Sequence, residues 1–137
     1  AEAVGLQLSE LAATDGFINW NQASEMVKDG ISFGGHGVEH LLLTNVSSDE
    51  ADREIDGAKR GIESHLATPV SSFSFPNGYW TPELVQRVKA AGYRLSFITK
   101  RGFVSCDDDP FTVRRLNIHE AETGSMPMFM ARIVGLW

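Results

Sequence analysis

Two histidines four residues apart, His36 and His40, lie in the stretch GGHGVEHLLLT at 34–44, directly after two glycines and before an apolar run. On a helical turn that spacing puts both side chains on one face, about 5–6 Å apart at Cβ, close enough to share one ion. Neutral imidazole is a common ligand of zinc and other transition ions, and Gly34 and Gly35 let the backbone turn sharply. The chain has four histidines, His36, His40, His65 and His119. Four at random produce some pair with this spacing in roughly one sequence in twelve. A metal pair and two hydrogen-bonded histidines on a surface turn therefore both stand at this point. A second stretch, FSFPNGYW at 73–80, centres on Pro76, Asn77 and Gly78. It reads either as an ordinary turn or as a turn that aims backbone N–H groups into a cleft, where they stabilise an oxyanion.

The elements that must position these residues follow from periodicity and punctuation. NWNQASEMVKDG predicts a short helix capped by Asn19 or Asn21 and stopped by Gly30. ISFGG predicts a short strand that delivers the chain to His36. In SSDEADREIDGAKRGIESHLA, Ser47 and Glu50 match a capping box, and Ala51, Ile55, Ala58, Ile62 and Leu66 form one apolar stripe. VSSFSF predicts a strand. TPELVQRVKAAG predicts a helix with Thr81 as N-cap, Pro82 at its first position and Gly92 beyond its end. YRLSFIT predicts a strand, CDDDP a loop and FTVRRLNI a further strand, and a last helix starts near Ser125 and runs through MPMFMARIVGLW. Strands and helices alternate as in βα units, which implies an α/β fold with a mainly parallel sheet covered by helices. In such sheets chemistry sits at the carboxyl ends of the strands. The stretches GGHGVEH, PNGYW and HEAE all fall at such ends.

A chain of 137 residues is one domain's worth, residues 1–137. Its net charge of -6 argues against a nucleic-acid surface, which needs clustered Lys and Arg. No apolar run approaches the roughly 18 residues of a membrane span, and the opening stretch AEAVGLQLSELAATDGF has neither a basic n-region nor a long apolar core. Cys106 is the single cysteine, which excludes an internal disulfide and a Cys-rich zinc site and leaves the compartment open.

Taken together, these residues resemble the polysaccharide deacetylase family, the NodB-homology domain of carbohydrate esterase family 4. HGVEH is similar to that family's H-[ST]-x-x-H metal motif and is followed, as there, by LLLT and a long helix. FSFPNG is similar to R-x-P-[YF]-G, and AAGYRLSFIT and DPFTVRRLNI fall where the family has "aGy" with a strand and "dpf…Ri". The similarity runs from about Trp20 onward. It implies part of a distorted (β/α)7-type barrel that removes acetyl groups from polysaccharide or oligosaccharide with a divalent ion, most simply zinc. By this resemblance His36 and His40 are the metal histidines. The ion polarises the acetyl carbonyl and brings the pKa of its water toward about 7. The backbone N–H of Asn77 helps to hold the oxyanion, and His119, in the L-x-x-H-like LNIH, acts as general acid.

The sequence also departs from the pattern. The T-F-D-D-G motif, which supplies the metal aspartate and the base, has no counterpart and is expected on an early strand upstream of Ala1. Asp107, Asp108 and Asp109 stand in the wrong place and order to replace it. Ser74 occupies the position of the motif's arginine, and no D-x-x-D-W element is found. The resemblance therefore implies the later two-thirds of a deacetylase domain, impaired in turnover, and unpaired sheet edges that favour a homo-oligomer. A different class of reading is a catalytically inactive relative that binds carbohydrate or a protein partner, with Trp20, Tyr79 and Trp80 as aromatic faces for sugar rings. An amidohydrolase acting on a non-sugar amide is a third, since fold does not fix substrate.

Overall fold

A computed structural model describes residues 16–136. The chain divides into two compact units, Ala1–Ser32 and Phe33–Trp137. In the first, helix α1 spans Trp20–Lys28. Asn19 caps it, its side chain accepting from Gln22 N while the Gln22 side chain returns to Asn19 N. Gly30 adopts φ +87° just past its end, with Gly30 N donating to Val27 O and Ile31 N to Met26 O. These bonds are the paired closure that satisfies a helix's last carbonyls. They also engage Ile31 in capping, so the strand expected over 31–35 is not formed; within it only Gly35 pairs with a neighbour.

In the second unit, helix α2 (Ser48–Leu66) starts at the expected capping box, Ser47 with Glu50. Strand β1 (Ser72–Ser74), helix α3 (Pro82–Ala90, capped by Thr81) and strand β2 (Leu95–Phe97) follow. A short helix α4 (Glu120–Thr123) precedes α5 (Met126–Ile133), which Ser125 caps. Trp137, the end of the expected last helix, and residues 1–15 lie outside the described residues.

β1 and β2 pair in parallel, Phe73 opposite Ser96. Gly35 joins β1 on one side and Val113 joins β2 on the other, both parallel. Gly35 N donates to Ser72 O and Ser74 N to Gly35 O; Val113 N donates to Ser96 O and Ile98 N to Val113 O. Among the described residues the result is an α/β arrangement whose four parallel passages form an open ladder. The strand expected over 111–118 is reduced to this one rung at Val113. Beside it the Ser96 hydroxyl donates to Phe111 O at 2.5 Å, a side-chain bond that takes the place of a ladder bond.

The core lies between this ladder and helices α2 and α3. The expected stripe of α2 is buried at Ala51, Ile55, Ala58 and Leu66 and packs through Ile62. With it pack Val70, Phe73, Phe75, Leu84, Val85, Val88, Tyr93 and Ile98. Phe73, at 0 % exposure, meets the rings of Phe75 and Tyr93 at centroid distances of 5.4 and 5.3 Å. Each large apolar side chain withdrawn this way contributes about 1.5–3 kcal/mol. Tyr93 donates from its hydroxyl to Ile55 O at 3.0 Å, tying the sheet layer to α2. Burial, with Asp56 and Glu63 nearby, pushes its phenol above the ordinary range, so it stays a donor. Arg87 of α3 reaches Asp52 of α2 at 2.6 Å.

Gly35 is buried, and a Cβ there would collide with the Tyr93 hydroxyl and approach Phe73 Cδ2 at 3.0 Å. Replacement Gly35→Ala is expected to lower stability by about 1–3 kcal/mol, read as a lower urea midpoint at unchanged slope. A second expectation concerns acid. The Ser47 hydroxyl and then its N–H hold the Glu50 carboxyl below the usual carboxylate range, and the Val70 N–H does the same for Glu63. Depressed folded-state values mean stability that is present above the unfolded pKa of roughly 4.3 and lost as pH falls through the folded values. Urea midpoints should therefore drop on acidification below pH ~4.3, and less steeply in Glu50→Gln and Glu63→Gln.

Candidate functional site

Because the four passages are parallel, their carboxyl ends emerge along one edge. His36 follows Gly35, the Pro76–Gly78 turn follows β1, residues 99–101 follow β2, and residues 115–118 follow Val113. The two histidines come together at this edge, ring centroids 4.8 Å apart and planes at 78°. They do so without the helical turn that their spacing suggested. Residues 36–40 form an irregular loop, bent by Gly37 at φ +87° and His40 at φ +57°. A left-handed conformation costs an L-residue of this kind about 1–2 kcal/mol, and such strain concentrates at functional sites.

The His36 ring is oriented by the neighbouring strand, with Nδ1 2.7 Å from Ser74 O. A carbonyl only accepts, so Nδ1 carries the proton and donates, leaving the Nε2 lone pair for a ligand. The bond uses the backbone of residue 74, which a serine supplies as well as any other residue. Both rings are exposed. Two tetrahedral zinc–nitrogen bonds of about 2.0–2.1 Å place ring centroids about 5 Å apart, close to the observed 4.8 Å separation. Among the described residues no group of three or more His, Cys, Asp or Glu side chains gathers.

The loop also has a partner that the periodicity of α2 did not reveal. Glu54 lies within the apolar face of α2 at 5 % exposure. Its carboxylate accepts from Val38 N at 2.9 Å and from Glu39 N at 3.0 and 3.1 Å. In sequence, Glu54 is one more acid on an acid-rich helix. The usable signal was its place between Ala51, Ile55 and Ala58 on the buried side.

Three residues beyond Ser74, Asn77 is the other site residue in the left-handed region, at φ +53°. The turn's own bonds run from Gly78 N to Phe75 O and from Tyr79 N to Pro76 O. Proline has no N–H, so these bonds leave the Asn77 N–H out. Thr99 clasps the turn from β2, its hydroxyl donating to Asn77 O at 3.2 Å and its side chain filling the space where a Cβ at Gly78 would stand. From Thr99 a cavity of about 620 Å³ runs along Arg101, Arg115, Leu116, Asn117 and Ile118. His119 follows that wall as the N-cap of α4, exposed, with its carbonyl accepting from Thr123 N and Oγ1. The structure thus brings His36 and His40 together and ties His36 to Ser74, three residues before Asn77, while His119 follows in sequence the cavity-lining Ile118. Asp108 and Asp109 cap their own loop, accepting from Ser105 N and Phe111 N, and Asp107 is exposed. Among the described residues no helix is long and apolar enough to cross a membrane.

A model of the polysaccharide deacetylase family matches residues 7–96, a span that contains His36, His40 and Asn77 and ends before the cavity wall and His119. YxkH of Bacillus subtilis (strain 168), which bears the name of a polysaccharide deacetylase, is 24% identical over 104 residues, covering 76% of this chain and 37% of YxkH. A polysaccharide deacetylase from Bacillus cereus superposes with a TM-score of 0.76 at 24% identity, over 88% of this chain and 38% of its own. The Streptococcus pyogenes deacetylase PplD, solved in complex with acetate, gives 0.73 at 23% identity, over 78% and 47%. The chain therefore spans less than half the length of each of these proteins, and the structural likeness establishes a shared fold.

The Ser74 carbonyl dictates one tautomer. In the neutral ring of His36 the proton is expected on Nδ1, as read by long-range proton–nitrogen correlation spectra; a proton on Nε2 would mean that this bond is absent in solution.

Proposed function

This chain belongs to the polysaccharide deacetylase family, and we propose that the edge bearing His36, His40 and Asn77 is part of a metal-dependent site that hydrolyses acetyl groups on polysaccharide or oligosaccharide. The observation that carries this reading is the His36–His40 pair, 4.8 Å between centroids, with His36 held to present Nε2. His36 and His40 would hold the ion, zinc by the chemistry of two imidazoles. When bound, it supplies Lewis acidity toward an acetyl carbonyl and acidifies water. The chain's own groups do the rest. The Asn77 N–H, left out of its turn's bonds, would donate to an oxyanion. The cavity from Thr99 to Ile118 gives a sugar chain room beside that turn, and its polar wall offers hydrogen-bond donors. His119, next in sequence after the cavity-lining Ile118, is the candidate to return a proton to the leaving amine.

Two imidazoles alone hold an ion weakly, which supports slow turnover by these residues without a further carboxylate. A second reading, carbohydrate binding without hydrolysis, draws support from Tyr79 and Trp80. Directly after Gly78 they are 57 % and 39 % exposed, large aromatic faces of the kind that sugar rings stack on.

Titration of chelator-dialysed protein with zinc chloride should shift the ring nitrogens of both His36 and His40, and His36→Ala should weaken the binding at least about tenfold. Acetate release from acetylated chitin oligomers should be slow, appear only as zinc saturates the pair, and vanish in His36→Ala. Zinc that shifts neither ring overturns the metal reading. Oligomer binding that survives His36→Ala, with no acetate at any zinc concentration, favours the second.

A further inference from the structure

His36, at the start of the histidine loop, is held by Ser74 O, and the residues between the two imidazoles are held by Glu54 of α2. Among the described residues no backbone–backbone hydrogen bond involves residues 36–40, and two of the five sit at positive φ. A loop with left-handed residues at both bends and no ladder of its own has little intrinsic preference for one shape. What fixes its middle is α2. The Glu54 carboxylate takes the N–H groups of Val38 and Glu39, the two residues midway between the imidazoles. Under the loop the fit is close on both sides of those bonds. A Cβ on Gly37 would lie 2.7 Å from Glu54 Oε2, and a Cβ on Gly57, one turn further along α2, would lie 2.8 Å from Val38 Cγ2. Gly37 stands where the family motif has Ser or Thr, and here the carboxylate occupies the space that such a side chain would need.

Glu54 is an expensive residue to keep at that point. It interrupts a face of Ala51, Ile55 and Ala58, and a carboxylate withdrawn from water costs several kcal/mol unless its bonds are replaced. A leucine would serve packing better. None of the ion pairs among the described residues includes it; backbone N–H dipoles of the histidine loop are what answer its charge. Its bonds are therefore spent on the shape of this loop.

We propose that Glu54 is a positioning residue for the histidine pair. By clamping Val38 and Glu39 it fixes the separation of His36 and His40 and so sets how tightly they hold a divalent cation. The proposal rests on the metal reading above and extends it to a residue outside the coordination sphere. Outer groups that orient ligands typically govern metal affinity by about 10–100-fold.

The test compares zinc affinity, read from the ring nitrogen shifts of His36 and His40, in the wild-type chain, Glu54→Gln and Gly37→Ala. Urea unfolding and amide exchange at Val38 and Glu39 are measured alongside. Glutamine keeps the volume and sets an NH2 against an N–H that now finds an oxygen. Gly37→Ala keeps the carboxylate and crowds it from the loop side; it also strains the loop at φ +87°, but it leaves the sequence of α2 unchanged, so it remains informative should Glu54→Gln fail to fold. Both variants are expected to exchange the two amides faster and to bind zinc about tenfold more weakly at temperatures where they are fully folded. Faster exchange with wild-type zinc affinity overturns the proposal and leaves the metal site intact. A wild-type chain in which zinc moves neither ring fails earlier and overturns both.

Discussion

The parallel register of four chain passages is the constraint on which the remaining features depend. Gly35, Phe73, Ser96–Phe97 and Val113 stand side by side, and because all run the same way, everything that follows them in sequence emerges at one edge. That register needs a residue without a side chain at position 35, where the Tyr93 hydroxyl and the Phe73 ring close over the backbone. Phe73 and Tyr93 in turn hold the sheet to α2, the one through apolar contact and the other through its bond to Ile55 O. A glycine before the first histidine is thus part of the core. His36 is delivered to the edge because the chain can pass this close to its neighbours only there.

What gathers at the edge is a set of loops whose shapes are imposed from outside. His36 is oriented by a carbonyl of β1, the Pro76–Gly78 turn is held by Thr99 beyond β2, and the loop between the histidines is held by α2. Of the three non-glycine residues in the left-handed region among the described residues, His40 and Asn77 lie here; the third, Ala67, closes the end of α2. Left-handed backbone at such residues persists only where its surroundings over-determine it, and these loops show how: each is tied to an element other than the one it follows. Glu54 is the extreme case, a carboxylate in an apolar face whose bonds all go to the loop above it.

Membership in the polysaccharide deacetylase family and the geometry concern different parts of the chain. The family match covers the histidine pair and the Asn77 turn and stops at Ser96, while the cavity wall and His119 lie beyond it. Within the first group, His36 and His40 also meet in space. His119, exposed at the N-cap of α4, follows the cavity-lining Ile118 in sequence.

The elements were legible wherever local chemistry decides them. Asn19, Ser47, Thr81 and Ser125 each cap the helix that follows, because a short polar side chain satisfies N–H groups two or three residues on. The α2 stripe reads directly from a period of 3.6 residues. The expected strands at 31–35 and 111–118 failed for the complementary reason: a ladder is made with distant partners, and there a helix closure at Ile31 and the Ser96 hydroxyl took the bonds that a strand would have used. By itself the sequence determined the residue types at the edge, two imidazoles four apart and a Pro-Asn-Gly turn. Only the tertiary structure decided that the imidazoles meet on an irregular loop instead of a helix, that Nε2 of His36 is the nitrogen presented, and that Glu54 holds the loop. Those outcomes depend on groups 15 to 38 residues away in the chain, and no local pattern encodes a bond whose two partners become neighbours only when the sheet has formed.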